Sequence, residues 1–126
     1  MTVENIERAD AFLSQAAKVR RELDALLSEA EYMQNLAEKC DNANAKSAAV
    51  TVRRYGAKIN AKVKEYLNLR DKVQTVINAV ADDDCRGLLL RRYINNERWE
   101  HIAEDMNFSV AHIYRLRKKA LLSVQP

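Results

Sequence analysis

The chain is predicted to be all-α: a long antiparallel, coiled-coil-like helical hairpin followed by a compact three-helix module. Three observations predict it. Turn-forming residues are scarce, with 2 Gly and 1 Pro in 126 residues, too few for a β-rich fold of this length but enough for helices. Apolar residues recur at alternating spacings of four and three along the first third, the period of a helical seam. Near the C-terminus, three short amphipathic segments are separated by Asn- and Ser-containing breaks, where helices stop and start.

The hairpin is expected over residues 1–81. Its first arm shows a heptad seam of Phe12, Ala16, Val19, Leu23, Leu26, Ala30, Met33, Ala37 and Cys40, with Lys18, Arg21, Glu22, Glu29 and Glu38 lying off it. A seam of that length makes a helix of about 45 Å. The segment Cys40–Ser47 holds Asp, two Asn and Ser but no large apolar group. It reads as the turn, with Asn44 or Ser47 capping the next helix. The second arm repeats the pattern through Val52, Tyr55, Ile59, Val63, Tyr66, Val73, Ile77 and Val80, with Arg70 where a strict seam would place an apolar group and Gly56 inside the helix. Gly56 lowers helicity without ending the pattern. A short connection favours antiparallel neighbours; the alternative is that each seam pairs with another subunit. Two helices alone offer too small a core, so the remaining apolar surface is expected to be covered by the C-terminal module, by a second copy, or by both.

The module is expected over residues 82–126. The run Asp82-Asp83-Asp84 is read as an N-cap with acids favoured by the helix dipole rather than as a cation site. The first helix runs from about Asp83 to Ile94 and buries Leu88, Leu89 and Tyr93 or Ile94. Asn95-Asn96 breaks it, with Asn96 the expected cap of the second helix. That helix, from about Glu97 to Met106, sets Trp99, Ile102, Ala103 and Met106 on one face. The third runs from about Val110 to Leu122, with Ile113, Leu116 and Ala120 inward and Leu121 at the edge. The connection Met106-Asn107-Phe108-Ser109 has the length of a helix-turn-helix turn, which usually carries Gly to reach positive φ. Asn107 stands in that place, and Asn tolerates left-handed geometry. Phe108 is expected to fold inward, and Ser109 to cap the third helix. Trp99 is expected in the core, and Arg92 to pair with Glu100 or Glu104.

Several function classes find no support. No apolar run approaches a membrane span, and the N-terminal MTVENIERAD lacks the pattern of a signal peptide, so a cytoplasmic location is expected. Cys40 and Cys85 have neither a disulfide-framework nor a zinc spacing and are read as free thiols. No Gly-rich phosphate loop, metal-ligand cluster or nucleophile–base pair is present, so neither enzyme activity nor a cofactor or metal is expected. Net charge is −3 over residues 1–40 (5 basic, 8 acidic), +4 over 41–82 (8 and 4) and +2 over 83–126 (8 and 6). Residues 110–126 carry four basic groups and no acidic one. Such a patch suits an oriented anionic partner such as DNA, although cations also suit a helix C-terminus.

The segment RRYINNERWEHIAEDMNFSVAHIYRLRKKAL resembles the fourth-region helix-turn-helix of sigma factors, and most closely the phage-encoded RinA/ArpU-type transcriptional regulators. The residues that carry the resemblance are Arg92-Tyr93, Trp99 to Ala103, Ser109 and Lys119-Ala120-Leu121. It is specific from about Leu88 to Leu122. Two positions depart from the pattern: Asn107 stands for the usual turn Gly, and Arg98 for a Ser-type cap, which moves the cap to Asn95 or Asn96. The resemblance implies a DNA-binding transcription regulator of a phage or mobile element. With Ile113, Leu116 and Ala120 inward, the face left for double-stranded DNA holds Ala111, Arg115 and Lys118, flanked by His112, Tyr114 and Lys119. Arg115 is the expected base reader, with Val110, Ala111, His112 and Tyr114 beside it. Arg117, Lys118 and Lys119 suit phosphates, and Ser109 with the helix N-terminus suits a backbone phosphate. The hairpin is then expected to form a homodimer or to contact RNA polymerase. Two other roles use the same fold: packaging-DNA recognition like that of a phage terminase small subunit, and a polymerase-binding helical adaptor.

Overall fold

The structure, a computed structural model, describes residues 2–125. Among the described residues there are helices and turns and no strand, and the chain is all-α. The helices are α1 (Thr2–Leu13), α2 (Gln15–Lys39), α3 (Asn42–Asn78), α4 (Asp83–Leu89, continued by a π-helical turn over Leu90–Ile94), α5 (Trp99–Asp105) and α6 (Val110–Leu122). Their contacts divide the chain into two compact units, Met1–Ala17 together with Asn68–Pro126, and Lys18–Leu67. The module expected at 82–126 therefore shares its unit with residues from both ends of the 1–81 segment.

The unit Lys18–Leu67 is a helical hairpin. Asp41 starts α3: its carboxylate accepts from the Asn44 N–H at 3.0 Å and its carbonyl from the Ala45 N–H at 3.0 Å. This corrects the expected cap at Asn44 or Ser47. Asp41 turns on its own third residue, the Ala-rich segment behind it is a strong helix former, and the loop shrinks to Cys40 and Asp41. Lys62 of α3 reaches Glu22 of α2 at 2.8 Å. The two lie at similar distances from the turn, as antiparallel neighbours must. The heptad reading of α2 holds closely. Val19 and Leu23 are buried, Leu26, Ala30, Met33, Ala37 and Cys40 are half-buried, and every other residue from Lys18 to Lys39 is exposed.

The other unit begins earlier than the heptad pattern foretold. The first helix starts at Thr2 and is interrupted at Ser14. Ile6, Ala9 and Leu13 make its inner face, with Leu13 at 0% exposure, and α1 packs on α6. The Tyr93 hydroxyl donates to the Asp10 carboxylate, and Arg117 stands 3.8 Å from the same carboxylate. Burial, then the neighbouring Asp10 anion, pushes the Tyr93 phenol well above its usual range. Val73 and Ile77 of α3 join Leu88, Leu89, Ile102, Ile113 and Leu121 in the fully buried core.

The capping of α4 is as expected: the Asp82 carboxylate accepts from the Cys85 N–H at 2.9 Å. The helix then widens, with the Asn95 N–H donating to the Leu90 carbonyl at 3.0 Å. That π turn buries both Tyr93 and Ile94, at 3% and 6% exposure, where an α-helix would favour one of two consecutive residues. Asn96 does not cap α5. It takes φ 59° just after the π turn and its side-chain amide donates to the Ile94 carbonyl at 3.3 Å, so Arg98 holds the N-cap position with no side-chain bond. Leu121, expected at an edge, is 1% exposed.

Candidate nucleic-acid interface

The turn between α5 and α6 follows local chemistry. Asn107 has φ 58°, the left-handed conformation that its place in the turn requires. The Phe108 N–H donates to the Ala103 carbonyl at 2.8 Å and the Asn107 N–H to the Glu104 carbonyl at 3.2 Å. These two bonds are a Schellman closure, which satisfies the carbonyls at a helix end. Ala103, 2% exposed, leaves room for the chain to fold back. Ser109 is extended (φ −68°, ψ 156°), and its hydroxyl accepts from the His112 N–H at 3.1 Å. Phe108 is half-buried and stacks on the His112 ring, with centroids 4.3 Å apart and planes at 30°. It does not simply plug the core; it braces a residue of the outer face.

The helix α6 has two clear sides. Ile113 and Ala120 are fully buried, and Leu116 is half-buried. Ser109, Val110, Ala111, His112, Tyr114, Arg115, Lys118 and Lys119 are all exposed, so the expected contact residues lie together on one outward surface. Val110 and Tyr114 are 49% and 47% exposed. Lys119 is 3.4 Å from Asp82. Arg115 and Lys118 form no ion pair among the described residues.

Arg117 differs from its basic neighbours. It is half-buried, near Asp10, with its guanidinium 5.7 Å from the Trp99 ring centroid. Arg92 approaches the same ring at 5.3 Å and donates to the Glu97 carbonyl at 3.0 Å. Trp99 is thus half-buried between two cations, edge-on to Tyr93, an arrangement that the quadrupole of an indole favours. The expected Arg92 pair with Glu100 or Glu104 is not formed, because the guanidinium lies on the indole. Arg91 makes the internal pairs instead, to Asp105 and, at 3.2 Å, to Glu97. The Arg91 hydrogen bond holds the Asp105 carboxyl below its usual range. Nothing local in the sequence pointed to this cluster or to Asp10. On α5 the exposed groups include Glu100, Glu104 and Asp105, so the cationic surface belongs to α6 and not to the helix before it.

A family model described as a protein of unknown function (DUF1492) matches residues 26–125. The chain belongs to this family. In this DUF1492 protein the match takes in the turn of the hairpin and all of α3 to α6. No curated protein and no solved structure gives a significant match. Among the described residues, the DUF1492 chain has no group of three or more His, Cys, Asp or Glu side chains placed to hold a metal ion. No helix among the described residues is long and apolar enough to cross a membrane.

Proposed function

We propose that this protein is a DNA-binding transcription regulator that reads the major groove with α6. The resemblance of its C-terminal third to RinA/ArpU-type regulators supports a role in a phage or mobile element. The observation that carries the reading is the outward face of α6, where Val110, Ala111, Tyr114, Arg115 and Lys118 stand exposed on a helix whose other side is locked into the core. An arginine on such a face suits guanine N7 and O6, and the apolar groups suit a thymine methyl. Lys118 suits a phosphate. The acidic groups of α5 repel a duplex and favour an approach led by α6. Self-association through the hairpin belongs to the same reading, because recognition helices about 34 Å apart match one turn of duplex. Contact with RNA polymerase is a further expectation of the resemblance.

The test is selection of bound sequences from random duplexes, followed by titration at several salt concentrations. Binding is expected to weaken steeply with salt as Lys and Arg displace counterions. Arg115→Ala is expected to relax preference at one base position by about 1–3 kcal/mol. No salt-sensitive binding to any duplex would overturn the reading, and an equal loss on all sequences would reassign Arg115 to a phosphate.

A further inference from the structure

The hairpin unit does not finish its own core. From Leu26 to Cys40 on α2, and from Val52 to Tyr66 on α3, every seam residue stops at half-burial, whereas the other unit takes its core to zero exposure. Along α3 the half-buried stripe is three heptad rows wide, including Val52 and Ile59, Tyr55 and Lys62, and Gly56 and Val63. A two-stranded seam uses two rows; a wider stripe serves a helix with more than one neighbour. A Cβ placed on Gly56 would meet nothing within 4 Å, so that stripe has open space in front of it.

Charge says what covers it. From Asp24 to Glu38, α2 carries four acidic residues and no basic one. From Asn42 to Lys64, α3 carries six basic residues and no acidic one. The Glu22–Lys62 bridge sets the register, which puts Glu31 at the level of Arg53 and Glu38 at the level of Lys46. Apart from Lys62, none of these ten groups forms an ion pair among the described residues. The hairpin thus has an acidic stretch on one arm and a longer basic stretch on the other, and only Lys62 among these charges is paired among the described residues.

We infer that a second copy of this chain lies face to face on the half-buried stripe, with the two-fold axis along the helices, forming a four-helix bundle in which α2 of each protomer packs against α3 of the other. That axis keeps both turns at one end and sets the acidic stretch of each α2, Asp24 to Glu38, against the basic stretch of α3 in the other protomer. A two-fold axis across the helices would set α2 against α2 and α3 against α3, like charge on like, which is unfavourable. The inference rests on the self-association in the function proposed above, but not on DNA contact, so its test contains no DNA.

Sedimentation equilibrium of the 126-residue chain is expected to show a particle of twice 14.5 kDa. Arg53→Glu with Arg54→Glu, and separately Glu29→Lys with Glu31→Lys, are each expected to weaken the dimer at least about tenfold, since several attractions become repulsions together. Mixed in equal amounts, the two variants are expected to restore a dimer, which misfolded chains would not do. A short bismaleimide is expected to join Cys40 to Cys40, and Cys40→Ser to abolish the product. With the axis across the helices, the two thiols would stand about 30 Å apart. A wild-type monomer, a dimer indifferent to the charge reversals, or no Cys40 product would each overturn the inference.

Discussion

Asn107 is where one side chain decides whether α6 can be presented at all. Its φ of 58° lies where most L-residues lose roughly 1–2 kcal/mol, and Asn and Gly lose less. Asn107→Gly is therefore expected to leave the thermal midpoint unchanged or raise it, and Asn107→Val to lower stability by about 1–2 kcal/mol in denaturant titration. Equal effects of the two would mean that the turn is not held left-handed in solution. This residue and the Ser109 cap were legible in the sequence because both roles are satisfied within a few residues. The partners of Arg91 and Arg92 were not. They depend on where the π turn throws each guanidinium, and that turn forms because Tyr93 and Ile94 both have core to enter.

The helices α3, α4 and α6 are held at their starts by Asp41, Asp82 and Ser109, and depressed carboxyl groups, the Asp82 cap among them, make stability depend on pH. The Cys85 backbone N–H, with Lys119 nearby, lowers the Asp82 carboxyl below its ordinary value of 3.8. Lys62 does the same for Glu22, and Arg91 for Asp105. A group whose folded pKa is depressed contributes fully above its unfolded value and loses that contribution as pH falls through the folded one. The thermal midpoint is expected to be steady at neutral and mildly acidic pH and to fall as the pH drops below the ordinary values of 4.5 for Glu22 and 3.8 for Asp82 and Asp105. Asp82→Asn, which keeps a capping oxygen without the charge, is expected to flatten part of that fall. An unchanged acid limb would show that Asp82 adds nothing through its charge. At this scale the heptad seam and α6 were read to within a residue or two, since amphipathic periodicity survives any tertiary context. The start of α1 was missed because its inner face, Ile6, Ala9 and Leu13, is brief and interrupted at Ser14.

For the whole molecule, the unit that contains α6 also needs α1 and the end of α3. Leu13, Val73 and Ile77 are at 0% exposure, and Tyr93 donates to Asp10. Leu13→Ala is expected to cost about 2–5 kcal/mol, measured by chemical unfolding of the full chain. A fragment of residues 82–126 is expected to show less helix by circular dichroism than the same residues contribute in the intact protein. A fragment that melts as cooperatively as the whole would show that the module stands alone.

By itself the sequence determined the all-α class, the seam, the capped final helix and the residues on its outer face, because periodicity and capping act over one or two turns. Only the tertiary structure decided that the N-terminal helix completes the core beneath α6, that Arg117 turns inward to Trp99 and Asp10, and that the middle of the hairpin is left half-covered. Each of those outcomes depends on which distant surfaces meet, and apolar burial records how much surface is covered without naming the partner in advance.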